Sequence, residues 1–193
     1  MSKINRTKYF FKKNFLELSK LLQINNRLKL KLEECANLFI ECNNSNNKII
    51  FIGNGGSAAI SSHVSVDLTK NAGIKSINFN DADLITCFAN DFGHKNWMKM
   101  ALKMYANKGD IVVLISTSGE SDNIIEAAKW TVDNEIKLVT FSGKKKTNRL
   151  NKFNKNNLNF WVDSNAYNHV ELIHLALLLS IIDYIIGTSV YKA

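Results

Sequence analysis

The residues of this chain best suited to chemistry lie in two turns rich in glycine and hydroxyls. The more informative turn reads STSGESDN, Ser116 to Asn123, after the apolar run Ile111–Ile115 and before a helical pattern. Its hydroxyls and amide N–H groups are therefore expected at a strand-to-helix turn. A helix N-terminus presents unpaired N–H groups and the positive end of the helix dipole, and both favour an anion. Ser116, Thr117, Ser118 and Ser121 add hydroxyl donors, and Gly119 lets the backbone come close. The turn contains no Lys. Neutral donors suit a sugar phosphate that must bind and leave at least as well as a nucleoside triphosphate with its metal. Taken alone, the segment reads equally well as a helix cap, because Ser and Thr are preferred N-caps.

The earlier turn opens GNGGSAAISSHVSVDLTK, Gly53 to Lys70. Gly53, Gly55 and Ala58 satisfy a G-x-G-x-x-A pattern, which makes a dinucleotide-binding enzyme the competing reading. That fold wants an acidic residue about 20 positions on, and Asp81 and Asp83 come late for it. It also leaves the STSG turn without a task, so no nucleotide cofactor is expected.

Both turns need a scaffold to position them. Phe11, Phe15, Leu18 and Leu22 fall on one face of a first helix, and Leu28, Leu32, Cys35, Phe39 and Cys42 on one face of a second. The polar cluster Asn43–Lys48 ends this pair. Short apolar runs (KIIFIG, KSINF, DIVVLIS, IKLVTFS and LNFWVD) then alternate with helical patterns, as in a parallel sheet covered on both faces. The expectation is one α/β domain over residues 1–193. Residues 1–46 form a helical pair, and 47–193 form a three-layer sandwich around a five-stranded parallel sheet. Ligands of such sheets bind at the carboxyl ends of strands, where both turns fall. The apolar run Leu175–Ile182 is too short to span a bilayer and reads as a buried helix.

Composition narrows the function further. The 193 residues carry a net charge of +8 from 25 basic and 17 acidic side chains. The lysines are scattered among asparagines, so neither a nucleic-acid stripe nor a membrane surface is expected. The run Lys144–Lys146 reads as a solvated loop. Cys35, Cys42 and Cys87 lack metal or disulfide spacing, and the charged N-terminal segment is unlike a secretion signal; a cytoplasmic location is expected. Phe10, Phe11 and Phe15 exceed what one small domain buries, which points to an oligomer.

The motifs GNGGSAA, ANDFG and ISTSG-S-N, together with the leading helices and a last helix bearing acid and histidine, resemble the sugar isomerase (SIS) domain family, and within it the phosphoheptose isomerases. The resemblance covers nearly the whole chain. It implies a flavodoxin-like SIS fold, a homotetramer, and interconversion of sedoheptulose 7-phosphate and D-glycero-D-manno-heptose 7-phosphate through an enediol in surface-polysaccharide synthesis. It further implies that Asn54, Gly55, Gly56, Asn90 and Asp91 line the sugar, that Ser57 faces the site, and that Ser116, Thr117, Ser118 and Ser121 hold the phosphate.

In that family, catalysis and in some members a zinc ion depend on a His and a Glu four apart on the first core helix, then a Gln and a His eight apart on the last. Each spacing puts its pair on one helix face. Here the first pair is His63 and Asp67, shorter by one methylene or about 1.5 Å of reach. The second falls on Glu171 and Leu179, with His174 at an internal position, and Leu179 cannot move a proton. His63, Asp67 and Glu171 remain as catalytic candidates, and as a His-and-two-carboxylate set acceptable to zinc. Each also has an ordinary reading: His63 as a core histidine, Asp67 as a solvated helix end, Glu171 as an acid in a first helical turn. His174 is expected at ligand or at a subunit interface, and His94 and His169 at the surface. Two non-catalytic readings remain, a sugar-phosphate sensor and a binder of the replication initiator protein. The intact turns favour ligand binding over the latter.

Overall fold

The computed structural model describes residues 9–154 and 158–191. Its elements run α1 (Phe10–Leu21), α2 (Asn26–Asn44), β1 (Ile49–Gly53), α3 (Gly56–Lys70), β2 (Ser76–Asn78), α4 (Ala82–Phe92), α5 (Trp97–Tyr105), β3 (Ile111–Ser116), α6 (Asp122–Asp133), β4 (Lys137–Ser142), a 3-10 turn (Leu150–Asn154), β5 (Leu158–Trp161) and α7 (Tyr167–Ile186). All five expected strands form. They pair in parallel in the order β2-β1-β3-β4-β5, the doubly wound order with its switch point at β1 and β3.

Strand alternation divides the apolar residues between two cores. Ile49, Phe51, Val113, Ile115, Val139 and Phe141 meet α2, α3 and α7 on one face, while Ile50, Ile52, Val112, Leu114 and Leu138 meet α5 and α6 on the other. Every residue of β1 and β3 is buried, as a sheet covered on both faces requires. At the end of the sheet opposite the two turns, Lys48 joins β1 to β3: its Nζ lies 2.6 Å from Oδ2 of the buried Asp110, and its N–H donates to Asp110 Oδ1 at 3.0 Å.

The helices show where sequence patterning was sufficient. Asn25 caps α2, accepting from the Leu28 N–H at 2.9 Å, and Cys35 and Cys42 are buried in the core. Burial pushes the Cys42 thiol up to about 11, so it packs as a hydrophobe. No residue of α1 is buried, and Phe10, Phe11, Phe15 and Leu16 lie exposed. At 20 residues, α7 is longer than its apolar run implied and passes a length-and-composition test for a membrane span. Its Val170, Ile173, Leu178, Ile181 and Ile182 are nonetheless buried against the sheet. His169 departs from its expected surface position: it is buried, and Nε2 pairs with Asn14 Oδ1 at 2.8 Å, tying α7 to α1. His94 is exposed as expected.

Candidate active site

Asn54, Ser57, Ser116, Thr117, Ser118, Ser121 and Glu171, with Ile115 and Tyr167, line a pocket of about 140 Å³ where β1 and β3 end. Ser121 occupies the N-cap position of α6, yet its side chain makes no capping bond, which leaves the hydroxyl to the pocket. Ser116 Oγ accepts from the Gly119 N–H at 3.1 Å, and Ser118 Oγ from the Glu120 N–H at 3.2 Å. A hydroxyl that accepts from the loop keeps its own O–H to donate to a ligand. The N-cap of α3 is Gly55, with φ +54, a conformation open to glycine.

Neighbouring segments hold these residues in place. Asn54 and the buried Asn123 exchange two amide hydrogen bonds, each 3.0 Å, across the crevice between β1 and β3. Gly119, with φ +67, lies so close to Asn148 that a Cβ would collide with the Asn148 amide. Asn148 is buried and donates to Ser142 Oγ, Gly143 O and Lys145 O. Glu171 reaches back from the second turn of α7, so it is not the first-turn acid expected from sequence. Thr117 Oγ1 donates to Glu171 Oε1 at 3.4 Å, and a Cβ on Gly56 would come within 2.6 Å of Glu171 Cδ. The carboxylate thus lies at the N-terminus of α3.

A model of the SIS domain matches residues 14–143, and the chain is 30% identical over 179 residues to a phosphoheptose isomerase of Buchnera aphidicola subsp. Acyrthosiphon pisum, covering 86% of this chain and 87% of that protein. The chain belongs to the phosphoheptose isomerase family of SIS-domain proteins. A phosphoheptose isomerase of Cytophaga hutchinsonii is 37% identical over 102 residues, so this match spans about half of that relative, 53%. The structure of phosphoheptose isomerase from Neisseria gonorrhoeae shares the fold, with a TM-score of 0.84 at 24% identity over 92% of this chain and 98% of that one.

Other residues that family resemblance assigns to the site lie outside the pocket. Asn90 and Asp91 are exposed at the end of α4, bonded to each other at 2.9 Å, and do not line the pocket of their own chain. The reason is topological, since α4 packs on the α5 and α6 side of the sheet. His63 Nε2 and Asp67 Oδ2 are 3.1 Å apart on the outer face of α3, with side chains 52% and 23% exposed, so His63 is not a core histidine. Among the described residues no three His, Cys, Asp or Glu side chains come together to hold a metal. Glu171 therefore does not join His63 and Asp67 in a zinc site within one chain. Leu179 is half-buried against the core.

His174 does not reach ligand or the surface. It is wholly buried, its Nε2 bonds the Ser142 carbonyl at 3.1 Å, and its ring meets Phe141 edge-on. Burial lowers its pKa to about 4, so the neutral imidazole donates from Nε2. Sequence reasoning missed Asn123 and Tyr167. Asn123 lay within the quoted motif and could have been found there. Tyr167 is one helical turn before Glu171 and carried no other signal.

Proposed function

We propose that this chain is an aldose–ketose isomerase that converts sedoheptulose 7-phosphate to D-glycero-D-manno-heptose 7-phosphate for surface-polysaccharide synthesis, acting in the cytoplasm as a homotetramer. The observation that carries this reading is the position of Glu171. A carboxylate shares one small pocket with the hydroxyl cradle, so a ligand anchored by its phosphate presents its chain to a base. The ketose loses a proton from C1 and gains one on O2, giving an enediol; the enediol then loses a proton from O1 and gains one on C2. No oxidant enters. Glu171 serves as the proton carrier and Thr117 orients it. Among the described residues of one chain, the donors His63, Asp67 and Glu171 do not converge on a common metal position. The exposed aromatic face of α1 supports assembly, and a sedimentation coefficient matching one chain would remove that part of the reading.

The test is proton exchange. Sedoheptulose 7-phosphate incubated with the enzyme in deuterated water should gain deuterium, and Glu171→Gln should slow this by about 10²- to 10⁴-fold, the range for a general base. Leu179, which cannot carry a proton, favours a second reading, a sugar-phosphate sensor. Tight binding of the sugar phosphate without exchange in the wild type would establish that reading instead.

A further inference from the structure

Of the basic run Lys144–Lys146, the fold engages Lys144 most closely. Its N–H donates to the Ser164 carbonyl at 3.0 Å, and its own carbonyl accepts from Trp161 Nε1 at 3.2 Å. The N–H of the preceding Gly143 donates to the carbonyl of Thr117, a cradle residue, at 3.1 Å. A Cβ on Gly143 would come within 2.6 Å of Val170 Cγ1, so the chain passes tightly under the cradle. Lys144 then adopts φ +53. A side chain is rarely held in the left-handed region unless its surroundings fix it there, and such residues cluster at ligand sites.

From this anchored backbone the Lys144 side chain extends to Tyr167. Its Nζ lies 3.7 Å from the centroid of the Tyr167 ring, and Tyr167 lines the pocket. Lys145 is exposed, and Lys146 faces Trp161 instead, 5.7 Å from the ring centroid. The pocket wants a cation. Among the described residues Glu171 is the one charged side chain lining it, so a phosphate bound there meets neutral hydroxyls and a like charge, which repels it at short range.

We propose that Lys144 is the cation that reads the phosphate, reaching from the Tyr167 ring to the phosphate oxygens of the bound ligand. An ammonium over a tyrosine at a solvent-exposed rim is weakly held, whereas a charge-assisted bond to phosphate is among the stronger polar contacts. Lys144 therefore changes partner when the ligand enters. The inference rests on the sugar-phosphate reading above only in requiring that the ligand carry a phosphate.

Calorimetric titration of the full chain with inorganic phosphate, at low and at high salt, tests it without any turnover. Lys144→Met should weaken phosphate binding by about tenfold and flatten its salt dependence, while Lys144→Arg should stay within about threefold of wild type. Lys144→Gly, which adopts a positive φ without strain, should bind as weakly as Lys144→Met and so excludes misfolding as the cause. Wild-type affinity and salt dependence in Lys144→Met would overturn the inference, as would a Lys144→Arg variant as weak as Lys144→Met. Phosphate binding that follows these expectations in an enzyme without isomerase activity would sustain Lys144 and refute the isomerase. Full isomerase activity with an unaffected Lys144→Met would do the reverse. A wild type that binds no phosphate would overturn both.

Discussion

The two turns at the carboxyl end of the sheet lead into regions held in different ways. After β3, the cradle is fixed by its own amides, by Asn148 through Gly119, by Asn54 through Asn123, and by Gly143 through Thr117. After β1, the first turn of α3 shares that order, but two turns further on His63 and Asp67 face outward, paired with each other. Asn90 and Asp91 lie equally open on α4. One chain thus completes the hydroxyl-lined pocket, whereas the acid–base candidates His63 and Asp67 stand on a surface that only another body could cover.

The difference is broken most directly at Gly119. A Cβ there meets the buried Asn148 amide and sits on a backbone with φ +67. Gly119→Ala should therefore destabilise the fold by about 3–5 kcal/mol, the sum of left-handed strain and a disrupted buried polar network. Chemical denaturation would measure this. A loss below about 1 kcal/mol would mean that the cradle adapts and is not held by the loop behind it.

A somewhat smaller effect should come from pH through His174, directly behind the cradle. Its pKa falls from 6.5 to about 4 on folding because burial disfavours the imidazolium. Between these values the unfolded chain binds more protons than the folded one, so stability rises with pH in that window. The His174 contribution is complete above pH 6.5 and is lost as pH falls toward 4, amounting to about 3 kcal/mol. His174→Phe, an apolar ring beside Phe141, should flatten the stability profile between pH 4 and 6.5. An unchanged slope would place the titration elsewhere.

The same contrast governs what could be read from sequence. Continuous apolar strands such as Ile111–Ile115 announce a covered parallel sheet, and the hydroxyls of Ser116–Ser121 lie within one short segment, so both were legible. Asn148 was not. It supports Gly119 from 29 positions away (148 − 119), a relation created by the crossover after β4 and marked by no spacing rule. His174 and His169 misled for the opposite reason: helical periodicity says which face a residue occupies, but a long apolar helix buries imidazoles on more than one face. For Asn90 and Asp91, motif resemblance gave them a part in the site that their place on one chain does not explain.

The smallest expected effect discriminates best between the two regions. His63→Ala removes an exposed pair whose partners are 3.1 Å apart, and such pairs contribute at most about 0.5–1 kcal/mol. Chain stability should therefore change little. Phosphate affinity should also hold, because His63 does not line the pocket. Sedimentation and isomerase assays on the same variant then report on the outer face of α3 alone. A fall in activity with phosphate affinity intact would assign that face to proton transfer or to assembly of the site. A parallel fall in phosphate affinity would mean that the two regions act as one within a single chain, and the contrast between them would fail.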